Sequence, residues 1–403
     1  MDAFPEDWTV DRLGNIGDLY KGSGISRAQA DSGDIPAIRY GELYTTHNDY
    51  VKEYTSHISS EVAKTSVLMK RGDIAFAASG ETEEEIGKCA AVCEEGVYAG
   101  GDLICLRAKT EIDPLFWGFM LNTPSVQKQK SAAAQGATVI HISRNAIADL
   151  IVGFPAFEEQ KRIGIALKDI DDLIDNLSKR IEKKKAIKQG AMQELLTGKK
   201  RLLGFEGMWL TKELGQLVTM FSGGTPPSRE ASYYGGGIPW VSIGDITVAG
   251  KWIRTTEKTL SASGFNACSA RMYPPMSLLF AMYASIGKCC ISKDAVCSSQ
   301  AILGLYDFRG VDIEYLFQNL SLREDEFAAM GQTGTQSNLS KQIVSKIKVR
   351  MPKDVAEQQA IAKVLGDMDA EITKLEAKRE KLIGIKKGMM SDLLTGKVRL
   401  KGT

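Results

Sequence analysis

The sequence predicts an α+β protein: two mixed α/β domains joined by two long helices that pair as a coiled coil, the whole written as an internal repeat. Three observations carry that prediction. The first is a duplication at an offset of roughly 200 residues. Ala186–Leu202 (AIKQGAMQELLTGKKRL) aligns with Gly384–Leu400 (GIKKGMMSDLLTGKVRL) at 11 of 17 positions. The second is an apolar stripe at helical spacing ahead of each repeated tail. The third is a set of short β-type runs in each half, each half also holding one shorter helix.

The repeat extends well beyond the tails. Phe4, Trp8, Leu13 and Gly14 recur as Phe205, Trp209, Leu214 and Gly215. Ile35-Pro36 recurs as Ile238-Pro239, Gly41-Glu42 as Gly244-Asp245, and Ile86–Cys89 as Ile286–Cys289. Thr138, Ser143 and Pro155 return as Thr335, Ser340 and Pro352, and a pre-helical Glu-Gln follows each proline at Glu159-Gln160 and Glu357-Gln358. Between these anchors the halves differ strongly. The frame is shared and its contents are not. The implied division is a first domain over 1–155, a long helix in 156–203, a second domain over 204–352 and a second helix in 353–403.

The helices are the plainest elements. Ile163, Leu167, Ile170, Ile174, Leu177 and Ile181 step by threes and fours, as do Ile361, Leu365, Met368, Ile372, Leu375 and Leu382, with one wider step. Each helix starts shortly after a proline and ends at Thr-Gly, where Gly198 or Gly396 can take the left-handed C-terminal conformation. At nearly 40 residues each spans roughly 55–60 Å. Helices this long and polar need a partner for the stripe, and the other copy is the obvious one. Gly190 and Gly388 share a repeat position inside the helices, which suggests a bend or a close helix approach there.

In the domains, Val67–Ala78, Leu103–Leu106, Ser277–Ala281 and Ala301–Tyr306 read as β-type. The shorter helices open at Asp113-Pro114 and at Asp312. Composition is that of an ordinary globular protein, 43% hydrophobic and 25% charged. Neither a secretion signal nor a membrane span is predicted. Seven cysteines without a CxxC pair fit a reducing cytoplasm and buried thiols. With three histidines in the chain, no metal site is expected.

A net charge of +1 argues against a protein that simply coats nucleic acid, so the placement of charge matters more than its sum. Residues 158–177 carry a net −3 and 178–201 a net +7; 354–373 carry −4 and 374–401 +6. That order suits the helix dipole. It also leaves basic ends to meet phosphate or an acidic partner.

Candidate DNA contacts come from matched polar segments. Lys21–Arg27 (KGSGISR) and Phe221–Arg229 (FSGGTPPSR) are Gly/Ser loops with basic residues, suited to phosphate or base edges. They supply Lys21, Ser23 and Arg27, then Ser222, Thr225, Ser228 and Arg229, with Arg39 nearby in the first half. Gln135–Arg144 and Gln332–Lys341 are rich in amides, hydroxyls and bases; they supply Gln135, Arg144, Gln332, Gln336, Asn338 and Lys341. No Walker loop, HExxH, GxSxG or nucleophile arrangement appears, so no catalytic residue and no cofactor site are expected. That weighs against a fused methyltransferase.

The order of domain, long helix, domain, long helix resembles type I restriction–modification specificity subunits. So do Phe221-Ser-Gly-Gly-Thr-Pro226, Ile238-Pro-Trp-Val-Ser-Ile-Gly-Asp-Ile246 and the paired Leu-Leu-Thr-Gly-Lys ends. The first half keeps the pattern more loosely: Lys21–Gly24 lacks the Thr-Pro, and Arg39-Tyr40 stand where Ser242-Ile243 do. The resemblance implies two target-recognition domains on an antiparallel coiled coil with a pseudo-twofold axis, each reading one part of a split, asymmetric sequence in double-stranded DNA. It implies two modification (methyltransferase) subunits using S-adenosylmethionine, and restriction/translocase subunits using ATP and Mg. None of that chemistry belongs to this chain.

Overall fold

The computed structural model describes residues 4–136, 139–332 and 338–400. The chain folds into two compact units, Met1–Ser178 with Ala377–Thr403, and Lys179–Glu376. The boundaries fall inside the long helices, Phe157–Leu195 and Val355–Leu393, rather than at their ends. Each unit owns the first half of one helix and the second half of the other.

Ion pairs show how those halves lie within each unit. In the first, Lys386 meets Asp171 at 2.7 Å and Arg399 meets Glu159 at 2.6 Å. In the second, Lys184 meets Glu371 at 2.8 Å, Lys188 meets Asp369 at 2.5 Å and Arg201 meets Glu357 at 2.5 Å. Residue numbers rise along one helix as they fall along its partner, so the halves run antiparallel. The basic end of each helix therefore has its acidic partner in the chain itself, at the start of the other helix. These pairs fix direction and register; the more exposed Lys184–Glu371 pair adds little to stability, whereas the acids of the Arg201–Glu357, Arg399–Glu159 and Lys386–Asp171 pairs are buried and depend on their partners.

The stripe serves more than helix pairing. Ile163 and Leu167 are buried in the first domain's core with Phe116, Trp117, Leu393 and Leu394. Ile361 and Leu365 are buried in the second with Tyr315, Leu316, Met192 and Leu195. Ile170, Leu177, Ile181 and Ile372 are also buried, while Ile174, Met368, Leu375 and Leu382 are half-buried. The domain, and not the other helix alone, covers the first turns of each stripe. A close helix approach at Gly190 or Gly388 is not found: a Cβ at either would meet nothing within 4 Å.

Both helices end as the Thr-Gly signal requires. Gly198 has φ +72° and Gly396 φ +71°, and the chain turns back through Lys200 N–H to Glu194 O at 3.2 Å and Val398 N–H to Asp392 O at 3.1 Å. The glycines are also crowded. A Cβ on Gly198 would sit 3.1 Å from Trp209, and one on Gly396 would sit 2.4 Å from Pro5. This places the repeated Trp8 and Trp209 against the helix ends. The Glu-Gln pairs lie inside the first helical turn rather than before it, because the helices already begin at Phe157 and Val355. Gln160 accepts from the Asp113 backbone N–H (3.2 Å) and Trp117 Nε1 (2.9 Å). Gln358 accepts from the Asp312 N–H (2.8 Å). Each glutamine thus ties the long helix to the start of the shorter one, Pro114–Leu121 or Ile313–Leu322, whose Asp113 and Asp312 caps are formed.

Each domain is closed by pairing its first and last strands, Thr9–Arg12 with Ile151–Phe154 and Trp209–Glu213 with Lys348–Pro352. The main sheets run in matched order. In the first domain it is Gly17–Lys21, Leu103–Ala108, Ile74–Ala77, Cys89–Ala91; in the second it is Thr219–Ser222, Ile302–Tyr306, Leu278–Ala281, Cys289–Ser292, Trp252–Ile253. The run Val67–Ala78 is two strands rather than one, broken by a turn where Gly72 has φ +94°. A second sheet in each domain pairs Ile35–Ile38 or Tyr234–Val241 with its neighbours. Five of the seven cysteines are buried, and burial pushes the Cys89 thiol up to about 11.

Candidate nucleic-acid interface

In the second domain the glycines of Phe221–Arg229 are there to let backbones touch. A Cβ on Gly223 would lie 2.1 Å from Ser298 O, and one on Gly224 would lie 2.4 Å from Ala270 N. The loop is then held from several sides. Trp240 Nε1 donates to Gly224 O (2.9 Å), Tyr234 Oη donates to Pro226 O (3.0 Å), and Thr225 Oγ1 accepts from the Gln300 N–H (3.3 Å). Ser222 closes its strand opposite Leu303. Ser228 and Arg229 stand exposed beyond it.

Lys341 opens the short helix Lys341–Ser345, capped by Ser340. Its Nζ lies 4.8 Å from the Phe221 ring centroid, and the Arg271 guanidinium lies 4.0 Å from the same centroid. Two predicted segments therefore converge at Phe221, together with a cation that sequence reasoning missed. Nothing in the pattern around Arg271 marks it; contact between Gly224 and Ala270 brings it there. Asn338 bridges Tyr283, Gln332 ends the helix Glu324–Gln332, and Gln336 lies outside the described residues.

The first domain builds the matching loop differently. A Cβ on Gly22 would lie 2.0 Å from Gly100 O. Ser23 Oγ donates to Thr65 O (2.7 Å), which turns that hydroxyl inward. Gly24 and the buried Ile25 both take positive φ, +64° and +61°. Lys21 and Arg27 are exposed, while half-buried Arg39 lies against Gly100. Arg144 is exposed at the start of Arg144–Ala148. Gln135 pairs its backbone with His141, which in turn pairs with Ser79. The 135–144 segment thus meets Ser79-Gly80, beside a cavity of about 370 Å³ lined by Tyr40, Tyr44, Ser79, Glu81, Glu85 and Val139. Residues 81–85 form an acidic stretch that the second half lacks, and no repeat-based reading singles it out.

The model of the type I restriction modification DNA specificity domain matches twice, over residues 5–188 and 206–384. The chain belongs to that family. Among relatives of specificity subunits, the putative type I restriction enzyme MjaX specificity subunit of Methanocaldococcus jannaschii is 28% identical over 98% of this chain and 95% of its own. The MjaVIII specificity subunit of the same organism is 24% identical over 98% and 94%. The fold is similar to that of the type I S subunit from M. genitalium, with a TM-score of 0.65 at 14% identity, covering 98% of this chain and 97% of that one. A second chain, from work on complex assembly and conformational transition of the type I system, gives 0.60 at 16% identity, covering 98% and 100%.

As a specificity subunit, the chain supplies DNA-sequence recognition to a multisubunit assembly and is not its catalyst. The family pattern acquires a physical reading. The acid of the Gly-Asp signature, Asp245, accepts from the Ser242 N–H (2.8 Å) and the Glu257 N–H (2.8 Å). Glu42 at the matched place accepts from the Arg39 N–H (3.3 Å). Both acids are buried, and each is committed to backbone N–H groups beside it. Among the described residues, no helix is long and apolar enough to cross a membrane.

Proposed function

We propose that each domain reads one part of a split, asymmetric site in double-stranded DNA, and that the paired helices and domains dock two modification subunits and the restriction/translocase subunits. The supporting observation is that the halves share sheet order, caps and helix ends but differ at the same loops. A frame that is kept while its recognition loops vary suits a module that reads different bases in each copy. Lys21, Arg27, Arg39, Gln135 and Arg144 contact the first part on this reading, while Ser23, turned inward onto Thr65, shapes their loop. The second domain's candidates for the other part are Ser222, Thr225, Ser228, Arg229, Gln332, Gln336, Asn338 and Lys341. The chain itself uses no cofactor and works in the cytoplasm; S-adenosylmethionine, ATP and Mg act in its partners.

The test is exchange of residues 1–155 for the first domain of a relative, followed by methylation-aware sequencing of the host genome. One half of the methylated motif changes and the other persists. A motif altered in both halves, or in neither, contradicts the proposal. Calorimetry on the purified chain gives no one-to-one S-adenosylmethionine binding; tight binding would overturn the assignment of that cofactor to the partners.

A further inference from the structure

Tyr20 and Phe221 occupy the same sheet position, because Tyr20 pairs with Cys105 and Phe221 with Gly304 in otherwise matched strands. What surrounds the two rings differs. Beside Tyr20 the Arg107 guanidinium lies 5.0 Å from the ring centroid and is neutralised by buried Asp73, through Nε (3.0 Å) and Nη2 (2.6 Å). Tyr20 Oη donates to the same carboxylate at 2.6 Å. That triad is electrically closed. In the second domain, Tyr306 stands where Arg107 does and stacks on Phe221, and Ser277 replaces Asp73. The ring instead receives Arg271 and Lys341, which belong to segments far apart in sequence.

Neither cation forms an ion pair with a described residue, and both are exposed. Their distances to one centroid hold the two charged groups within about 9 Å of each other. Two like charges gathered on one half-buried ring, beside a loop of hydroxyls, repel each other, and an anion between them relieves that repulsion. A guanidinium supplies a bidentate fork and an ammonium a point charge, the pair suited to phosphate oxygens.

We propose that Arg271 and Lys341 form a phosphate seat for the duplex read by the second domain, with no counterpart at Tyr20 in the first. The inference rests on the DNA-recognition reading above. The seat positions the backbone; base choice belongs to the loop residues around it.

The test uses the full chain assembled with its modification subunits and a labelled duplex carrying the motif found by methylome sequencing. Affinity is measured by fluorescence anisotropy across a salt series. In the double variant Arg271→Gln, Lys341→Gln, the slope of log affinity against log salt becomes shallower by about one if the cations share a phosphate, and by about two if they hold neighbours. The affinity ratio between the motif and a duplex altered in the second half-site stays unchanged, as does the melting temperature. Arg271→Lys keeps most of the slope. An unchanged slope in the double variant overturns the seat, and so does collapse of the affinity ratio, which would make these base-reading residues. A wild-type assembly with no preference for the motif gives a different failure: it overturns the DNA-recognition reading itself, and the seat with it.

Discussion

Trp8 and Trp209 stand at matched places in the two units, and so do Lys130 and Phe327, yet the two comparisons come out oppositely. At the tryptophans the units agree closely. Arg399 lies 5.8 Å from the Trp8 ring and grips Glu159; Arg201 lies 5.8 Å from the Trp209 ring and grips Glu357. In both, the end of one helix is clasped to the start of the other. Behind the main sheet the units disagree. Phe280 and Phe327 pack edge to face at 5.6 Å, where the first unit sets Phe76 against the ammonium of Lys130, also at 5.6 Å. Lys130 is fully buried, and its Nζ has no hydrogen-bond partner among the described residues. The clasp joins a helix end to a helix start in the same way in both units, whereas the sheet's back face is filled by a ring in one unit and by a lysine in the other.

Making the second unit resemble the first at this point gives the largest effect. Phe327→Lys removes a buried ring pair and buries an unpaired ammonium, with an expected loss on the order of 5 kcal/mol in urea unfolding followed at the second unit. A loss under 1 kcal/mol would show that the position is not the core site the repeat makes it.

The clasp comes next. Arg201→Ala leaves Glu357, whose side chain is 0% exposed, as an uncompensated buried carboxylate, and costs about 3 kcal/mol. Arg399→Ala costs less, since Glu159 keeps the Leu400 N–H at 3.2 Å. Hydrogen bonds from Arg399 hold the Glu159 carboxyl below the usual carboxylate range. Its contribution to stability is therefore present above that range and is lost as pH falls through the lowered folded-state value. Arg399→Ala flattens this acid limb in a pH series of melting temperatures. Equal losses from the two alanine variants would erase the distinction between the clasps.

Reversing the other contrast stabilises. Lys130→Met keeps the length of the side chain and removes the charge, and gains about 1–2 kcal/mol. Burial lowers the Lys130 pKa, so the unfolded chain binds its proton more readily between the lowered value and about 10.4. Wild-type stability accordingly rises with pH across that window, and the methionine variant loses that slope. A destabilised Lys130→Met would mean the ammonium has a partner that the buried geometry conceals.

The smallest effect tests the helices. Gly190→Ala and Gly388→Ala each gain about 1 kcal/mol, since nothing lies within 4 Å of either added methyl. A loss on thermal melting would mean that a bend or contact at these glycines matters after all.

The amino-acid sequence alone determined the elements whose cause is local or periodic. The stripes set the two long helices, Thr-Gly set their ends, Asp113 and Asp312 set the caps, and the duplication set two like domains. These were legible because spacing, caps and left-handed glycines act within a few residues. Tertiary structure alone decided the pairings between distant residues. It matched acidic helix starts with basic helix ends, buried Ile163 and Leu167 in a domain rather than only against a helix, and turned Ser23 inward onto Thr65. It also brought Arg271 and Lys341, which no pattern connects, onto one phenylalanine. Periodicity states which face of an element is apolar, but the partner of that face is chosen by the free energy of the whole packed unit.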